Sequence, residues 1–355
     1  MAAISRNAFD KRNDQERIDE IARERLQPGK DLLDRPLGAL YGAVSGDSTG
    51  APTRFLSRAR IDRLLSPSAE PGALLDRVLS GASTTPNVDL GRIVADLLIE
   101  GDGRIDDGAL RGALEAWLRA NRHDGGRIDP AIAAALDGLD CGRSPGFSGW
   151  YGDTNSCLPG AIVVGVATPP APVADLIDRV EEMCQPTHDT GLAIAGASAV
   201  AAAVSAGIEG AVLVRALEAG EQAAVVGAGR GRFVPGASVA ERIDWALELV
   251  AASGTERSLA LVSELVGTGV RVQETVPAAF ALALLWPDDP WRVCLEAARL
   301  GGDTSSIGAS AAAIVGSITG IRAFPPEAAP FLSGVSRQRL RDVAQGLVRL
   351  RVHEA

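Results

Sequence analysis

Gly301-Gly302-Asp303-Thr304-Ser305-Ser306-Ile307-Gly308, with the small-residue run that continues to Gly320, decides how this chain is read. Before it, Trp291 to Leu300 carries apolar residues at Val293, Leu295, Ala297, Ala298 and Leu300. That spacing predicts a helix that stops at the glycine pair. After it, Ile307 to Ile318 is Ala, Ile, Val, Gly and Ser, too small and apolar for a surface helix. Such a helix is expected to be buried, with neighbouring backbones close against it. Between the two helices stand one aspartate and three hydroxyls. Capping a helix start takes one such oxygen. Four of them predict a polar site turned into a cleft.

The rest of the chain supplies partners for that site. Gly38, Gly42 and Gly46 recur every four residues, on one helical face that another backbone can approach. Asp47-Ser-Thr-Gly-Ala-Pro52 is then expected to break the helix. A second polar turn, Ser83 to Asp89, precedes a helix with Leu90, Ile93, Val94, Leu97 and Leu98 inward. Asp102 to Asn121 repeats the pattern through Leu110, Leu114, Trp117 and Leu118. Ser144 to Gly160 is the longest irregular stretch, with Asp153, Thr154, Asn155 and Ser156 as its polar group. Loops of that length inside a compact domain are often functional. Thr187-His188 opens another small-residue helix, Leu192 to Ile208, and Pro277 is expected at the first position of an apolar helix to Trp286. No long stretch alternates with period two. The reading is one all-α domain over residues 31–355, preceded by a charged arm over residues 1–30.

Bulk composition narrows the function. With 355 residues and 46% hydrophobic content there is enough apolar material for a large core. Aromatics are only 4%, so that core must come from closely packed Ala- and Gly-rich helices. A net charge of −10 argues against a nucleic-acid or anionic-membrane partner. Cys141, Cys157, Cys184 and Cys294 form no CxxC pair, and reduced packing thiols in a soluble, cytoplasmic protein are expected. Cys157 as a nucleophile would need a base such as His188, and nothing in the sequence brings the two together.

The order and spacing of the four polar turns resemble the ADP-ribosylglycohydrolase family, which includes the dinitrogenase reductase-activating glycohydrolase. Gly46-Asp47-Ser-Thr-Gly50-Ala-Pro52 matches its opening Gly-Asp-x-x-Gly-x-Pro. Asn155 matches its middle Asn-Gly-x-x-Met-Arg segment at the Asn alone, and Thr187-His188 is similar to its Thr-His helix start. Glu274-Thr-Val-Pro277-Ala-Ala279 resembles its Glu-x-x-Pro-Ala-Ala helix. Gly301 to Ala309 matches the closing Gly-Gly-Asp-Thr-Asp-Thr-Ile-Gly-Ala at all but two places. The likeness runs from about Leu37 to Phe324 and implies a compact, all-α, orthogonal helix bundle. It further implies metal-assisted hydrolysis at C1 of an ADP-ribose, with two magnesium or manganese ions as cofactors.

Those ions need carboxylate oxygens, and here the chain departs from the family. Thr85-Pro86-Asn87 stands where Thr-Asp-Asp is expected, Ser305 where the second Asp is, Ser306 where a Thr is, and Arg54 where a Glu is. Asp303 is the one family carboxylate ligand left. A single weak ion held by Asp303 with help from Asp89 is the most that remains.

Three functions are open. One is a metal-free glycosidase, with Asp303, Asp47 and Asp153 catalytic. Its substrate would be held by Asn155, Ser156, Cys157, His188, Gly302, Thr304, Ser305, Ser306, Asn87, Asp89 and Arg54, the arginine facing a phosphate or carboxylate. The partner would be a small ribosyl compound or an ADP-ribosylated substrate. The second is a non-catalytic relative that binds such a ligand. The third is an interaction protein using Ser144 to Gly160 and the Arg230, Arg232 pair as contact surfaces.

Overall fold

Gly38, Gly42 and Gly46 do meet the small-residue run that follows Asp303. In a computed structural model, described over residues 31–65, 85–121, 129–140, 149–332 and 334–353, the described residues form α-helices joined by turns, loops and short 3₁₀ or π segments. In chain order these are α1 (Asp34–Gly50), α2 (Arg58–Leu65), α3 (Pro86–Glu100), α4 (Asp107–Asn121) and α5 (Pro130–Asp140). There follow α6 (Leu158–Ala167), α7 (Val173–Cys184), α8 (Gly191–Glu209), α9 (Leu213–Gly227) and α10 (Val239–Ala251). The last are α11 (Thr255–Leu261), α12 (Val272–Leu285), α13 (Pro290–Ala297), α14 (Thr304–Thr319) and α15 (Arg337–His353). No strand occurs among the described residues, and the all-α expectation holds. The charged arm, Cys141 and the start of the 83–89 turn lie outside them.

The α1–α14 pair is the largest interface between helices. The two run antiparallel with backbones in contact. A Cβ on Gly38 would lie 2.2 Å from the Gly316 carbonyl oxygen, and one on Gly42 2.3 Å from that of Ala312. On Gly46 it would lie 2.3 Å from the Gly308 backbone, and on Gly50 2.5 Å from Ser305 N. No side chain larger than hydrogen fits at these positions, because interiors have no slack of that size. This seam carries the C-terminal end of α1 onto the N-terminal end of α14, so Asp47 and Asp303 are neighbours by construction.

Around the seam, α8 and α12 complete a core of Ala, Val, Ile and Leu. By length and composition α8 could cross a membrane, but 89% of its apolar window is buried inside the fold. Its apolar surface faces other helices.

Three expectations need correction. α1 does not break at Asp47; it runs to Gly50, where a 3₁₀ turn, Ala51–Thr53, takes over. The packed seam holds residues 47–50 helical, with the Thr49 hydroxyl donating to the Ser45 carbonyl at 2.6 Å, against the local preference of Asp, Ser and Thr to leave a helix. Pro277 is not a helix start but lies inside α12. The Gln273 carbonyl, which a residue other than proline at 277 would bond, accepts instead from Arg242 Nε at 2.5 Å. Within the expected irregular stretch, Asn155–Cys157 is a 3₁₀ turn leading directly into α6.

Candidate active site

Four segments deliver one polar network. The last turns of α1 bring Asp47, the first turn of α3 brings Asn87, the Asn155–Cys157 turn brings Asn155, and the start of α14 brings Asp303, Ser305 and Ser306. Thr85 caps α3 by accepting from Asn87 N, and the same hydroxyl donates to Asp47 Oδ1 at 2.6 Å. Thr85 N donates to Asp47 Oδ2 at 2.7 Å. Asn87 Nδ2 lies 3.0 Å from Asp47 Oδ1 and 3.2 Å from Ser306 Oγ. Ser306 in turn donates to Asp303 Oδ2 at 3.1 Å. One side-chain chain therefore links the two carboxylates.

Asp303 is the hub. Oδ1 accepts from Arg54 Nε at 2.8 Å and from Ser305 Oγ at 3.1 Å. Oδ2 accepts from Asn155 Nδ2 at 2.8 Å as well as from Ser306. Asp303 and Ser305 are fully buried; Arg54 retains 19% of its side-chain exposure. Asp47 is equally enclosed, and burial pushes its carboxyl up to about 6, against the donors on Thr85 and Asn87 and the charge of Arg54, which pull it down. An acid in that range exchanges a proton near neutral pH.

The other expected residues divide. Asp153 is buried and ion-paired with the Arg271 guanidinium, a partnership that nothing in the sequence announced. Asp89 does not join Asp303. It lies about 200° around the helix from Asn87, accepts from the Trp117 indole at 3.2 Å and is half exposed. His188 and Ser156 form an adjoining cluster. His188 Nε2 lies 2.9 Å from Thr154 Oγ1 and 3.1 Å from Ser156 Oγ, and Nδ1 lies 2.7 Å from Thr187 Oγ1. Burial lowers the His188 pKa, so the ring is a neutral hydrogen-bonding post. Cys157 is a packing thiol, set against the Thr154 carbonyl and buried with Cys184. Thr304 gives its hydroxyl to the Gly50 carbonyl at 2.7 Å, tying α14 to α1 instead of facing a ligand. Gly302 contributes its backbone, which pairs with the 55–56 segment.

Two further residues belong to the site. Thr275 accepts from Asn155 Nδ2 at 2.8 Å, and its hydroxyl donates to the Gly269 carbonyl at 2.9 Å. Phe55 is 60% exposed beside Arg54, at a backbone φ of 62°. A bulky residue in that left-handed region is uncommon and often marks a functional constraint. Thr275 sits within a recognised motif, but only the fold reveals its contact with Asn155.

The metal pair implied by the resemblance does not fit these residues. A carboxylate has about four lone-pair positions, and those of Asp303 are taken by Arg54, Asn155, Ser305 and Ser306. Among the described residues no group of three or more His, Cys, Asp or Glu side chains converges as a cage. A guanidinium stands against the one surviving ligand.

Comparison with known proteins agrees with this fold. The sequence profile of the ADP-ribosylglycohydrolase family matches residues 28–355. The uncharacterized protein YegU of Escherichia coli (strain K12) is 32% identical over 327 residues, covering 90% of this chain and 97% of that protein. A solved ADP-ribosylglycohydrolase-related protein complex shares the fold with a TM-score of 0.64 at 20% identity, over 90% of this chain and 98% of that one. With its profile spanning nearly the whole sequence, the chain belongs to the ADP-ribosylglycohydrolase family, and membership supports a glycosyl-hydrolase type of function.

Proposed function

We propose that the protein hydrolyses an N- or O-glycosidic bond at C1 of an ADP-ribosyl, nucleoside or related ribosyl compound, without a divalent metal. The observation that supports this is the Asp47–Asn87–Ser306–Asp303 chain, which sets two buried carboxylates in one network, with burial raising the Asp47 carboxyl to about 6. Glycoside cleavage passes through an oxocarbenium-like state and uses such a pair. Asp303 carries negative charge toward the developing positive charge at C1. Asp47, protonated, gives its proton to the leaving atom as that atom takes the C1 bonding pair. The resulting carboxylate then takes a proton from the water that adds to C1. Asn155 and the Ser305 and Ser306 hydroxyls suit the ribose hydroxyls.

A panel of ribosyl compounds incubated with chelator-treated protein tests the proposal. Turnover that falls at least 10²-fold in Asp303→Asn is expected, the size of loss seen when a transition-state charge partner is removed. Full activity in that variant would sink the proposal.

One observation favours a second reading, a relative that binds ribosyl ligands without cleaving them. Every acceptor position of Asp303 is already filled, so substrate must displace a protein donor before it can meet the carboxylate. Calorimetric binding of ADP-ribose with no turnover across the panel would select that reading.

A further inference from the structure

The guanidinium of Arg54 is held against Asp303 by more than the ion pair. Directly after the Ala51–Thr53 turn the chain pairs with the backbone beside Asp303. Phe55 N donates to the Gly302 carbonyl at 2.7 Å, and Gly302 N donates to the Leu56 carbonyl at 3.0 Å. Holding that pairing puts Phe55 at a φ of 62°, unfavourable for a residue with a Cβ. The Phe55 ring then lies 4.5 Å from the guanidinium centre, a cation–π contact that fixes Arg54 from its outer side. The result is a positive group clamped against Asp303.

We propose that Arg54 is a tethered resident cation: it takes the electrostatic place of a divalent ion at Asp303 and makes this site refuse metal. Three features argue for it. Arg54 bonds the single carboxylate that the metal reading would have used, through Nε at 2.8 Å. Its charge also reaches the second buried carboxylate, Asp47, as the smallest of the influences that lower it. The strained turn and double backbone bond keep the guanidinium from swinging out to admit an ion, and any ion that entered would meet a like charge at contact distance. Arginine suits this task because it stays protonated at every working pH.

The inference does not rest on which ribosyl bond is cleaved, since its readout is metal binding and not turnover. The experiment is a manganese titration of chelator-treated full-length protein, followed by the electron paramagnetic resonance signal of free Mn²⁺. Wild type and Arg54→Lys, which keeps the charge, are expected to bind no Mn²⁺ up to millimolar concentration. Arg54→Gln leaves Asp303 buried without a counter-charge and is expected to gain one Mn²⁺ site at least tenfold tighter than any in wild type. If Arg54→Gln does not fold alone, refolding with Mn²⁺ present becomes the readout, and recovery is expected. Micromolar Mn²⁺ binding by wild type would overturn the proposal. So would an Arg54→Gln protein that stays silent to Mn²⁺, whether folded or unfolded.

Discussion

The side-chain amide of Asn155 lies 2.8 Å from Asp303 Oδ2 and 2.8 Å from Thr275 Oγ1, so one residue spans from the start of α14 to α12. Removing it leaves a buried carboxylate oxygen short of a donor. Asn155→Ala is therefore expected to lower the unfolding free energy by about 2 kcal/mol, the usual worth of a hydrogen bond to a charged group. Asn155→Asp should cost more, because it sets two buried carboxylates side by side. Urea unfolding of the two variants checks the order. An Asp variant as stable as wild type would contradict the placement of Asn155.

Asp47 makes stability depend on pH with a definite sign. Its carboxyl titrates near 6 when folded, against 3.8 for a free side chain. The folded state thus holds the proton more tightly. This group's contribution is complete below pH 4 and lost as pH rises through 6, about 3 kcal/mol in all. His188 runs the other way: burial lowers its pKa, so its contribution is present above the unfolded value and lost on acidification. Comparing wild type with Asp47→Asn isolates the first effect. The advantage of wild type should be largest at pH 4 and shrink by about 3 kcal/mol by pH 7. A gap that stays constant across denaturant titrations at pH 4, 5, 6 and 7 would contradict it.

The seam between α1 and α14 predicts opposite signs for one substitution at two places. Gly42→Ala puts a methyl 2.3 Å from the Ala312 carbonyl oxygen, and backbone cannot yield cheaply. A loss of about 3 kcal/mol or more is expected. Gly112, in α4, has nothing within 4 Å of its would-be Cβ. Gly112→Ala should stabilise by about 0.5–1 kcal/mol through helix propensity. Thermal unfolding of both variants decides the matter.

Arg242 and Pro277 should couple. Arg242→Ala strips the Gln273 carbonyl of its donor, while Pro277→Ala supplies the missing backbone N–H. Arg242→Ala should then cost about 1 kcal/mol less in the Pro277→Ala background, a non-additivity that a double-mutant cycle reads directly.

Much of this was legible in the residues. The four-residue glycine period and the run after Asp303 specify a helix pair in backbone contact, and the all-α class follows from 3.6-residue periodicity throughout. Arg54, Asn155, Ser305 and Ser306 read as site residues and do bond Asp303, and Asn87 links Asp47 to them through Ser306. What failed, failed for physical reasons. Thr304 reads as a ligand hydroxyl, but the Gly50 carbonyl left open at the end of α1 claims it. Asp89 reads as a partner of Asp303, but helix geometry turns it toward Trp117. The pairing of Asp153 with Arg271 and of Asn155 with Thr275 joins positions more than a hundred residues apart, which no local pattern encodes. Pro277 reads as a helix start because its rescue by Arg242 comes from another helix.

The most direct measurement follows the C1 proton of ADP-ribosyl and nucleoside substrates by nuclear magnetic resonance, in chelator, with wild type and Asp303→Asn side by side. A metal-free ribosyl hydrolase predicts that wild type converts the glycosidic C1 signal to that of free ribose C1–OH, at a rate at least 10²-fold above the variant. Conversion that appears only when Mg²⁺ or Mn²⁺ is restored, or equal rates in the two proteins, would contradict it.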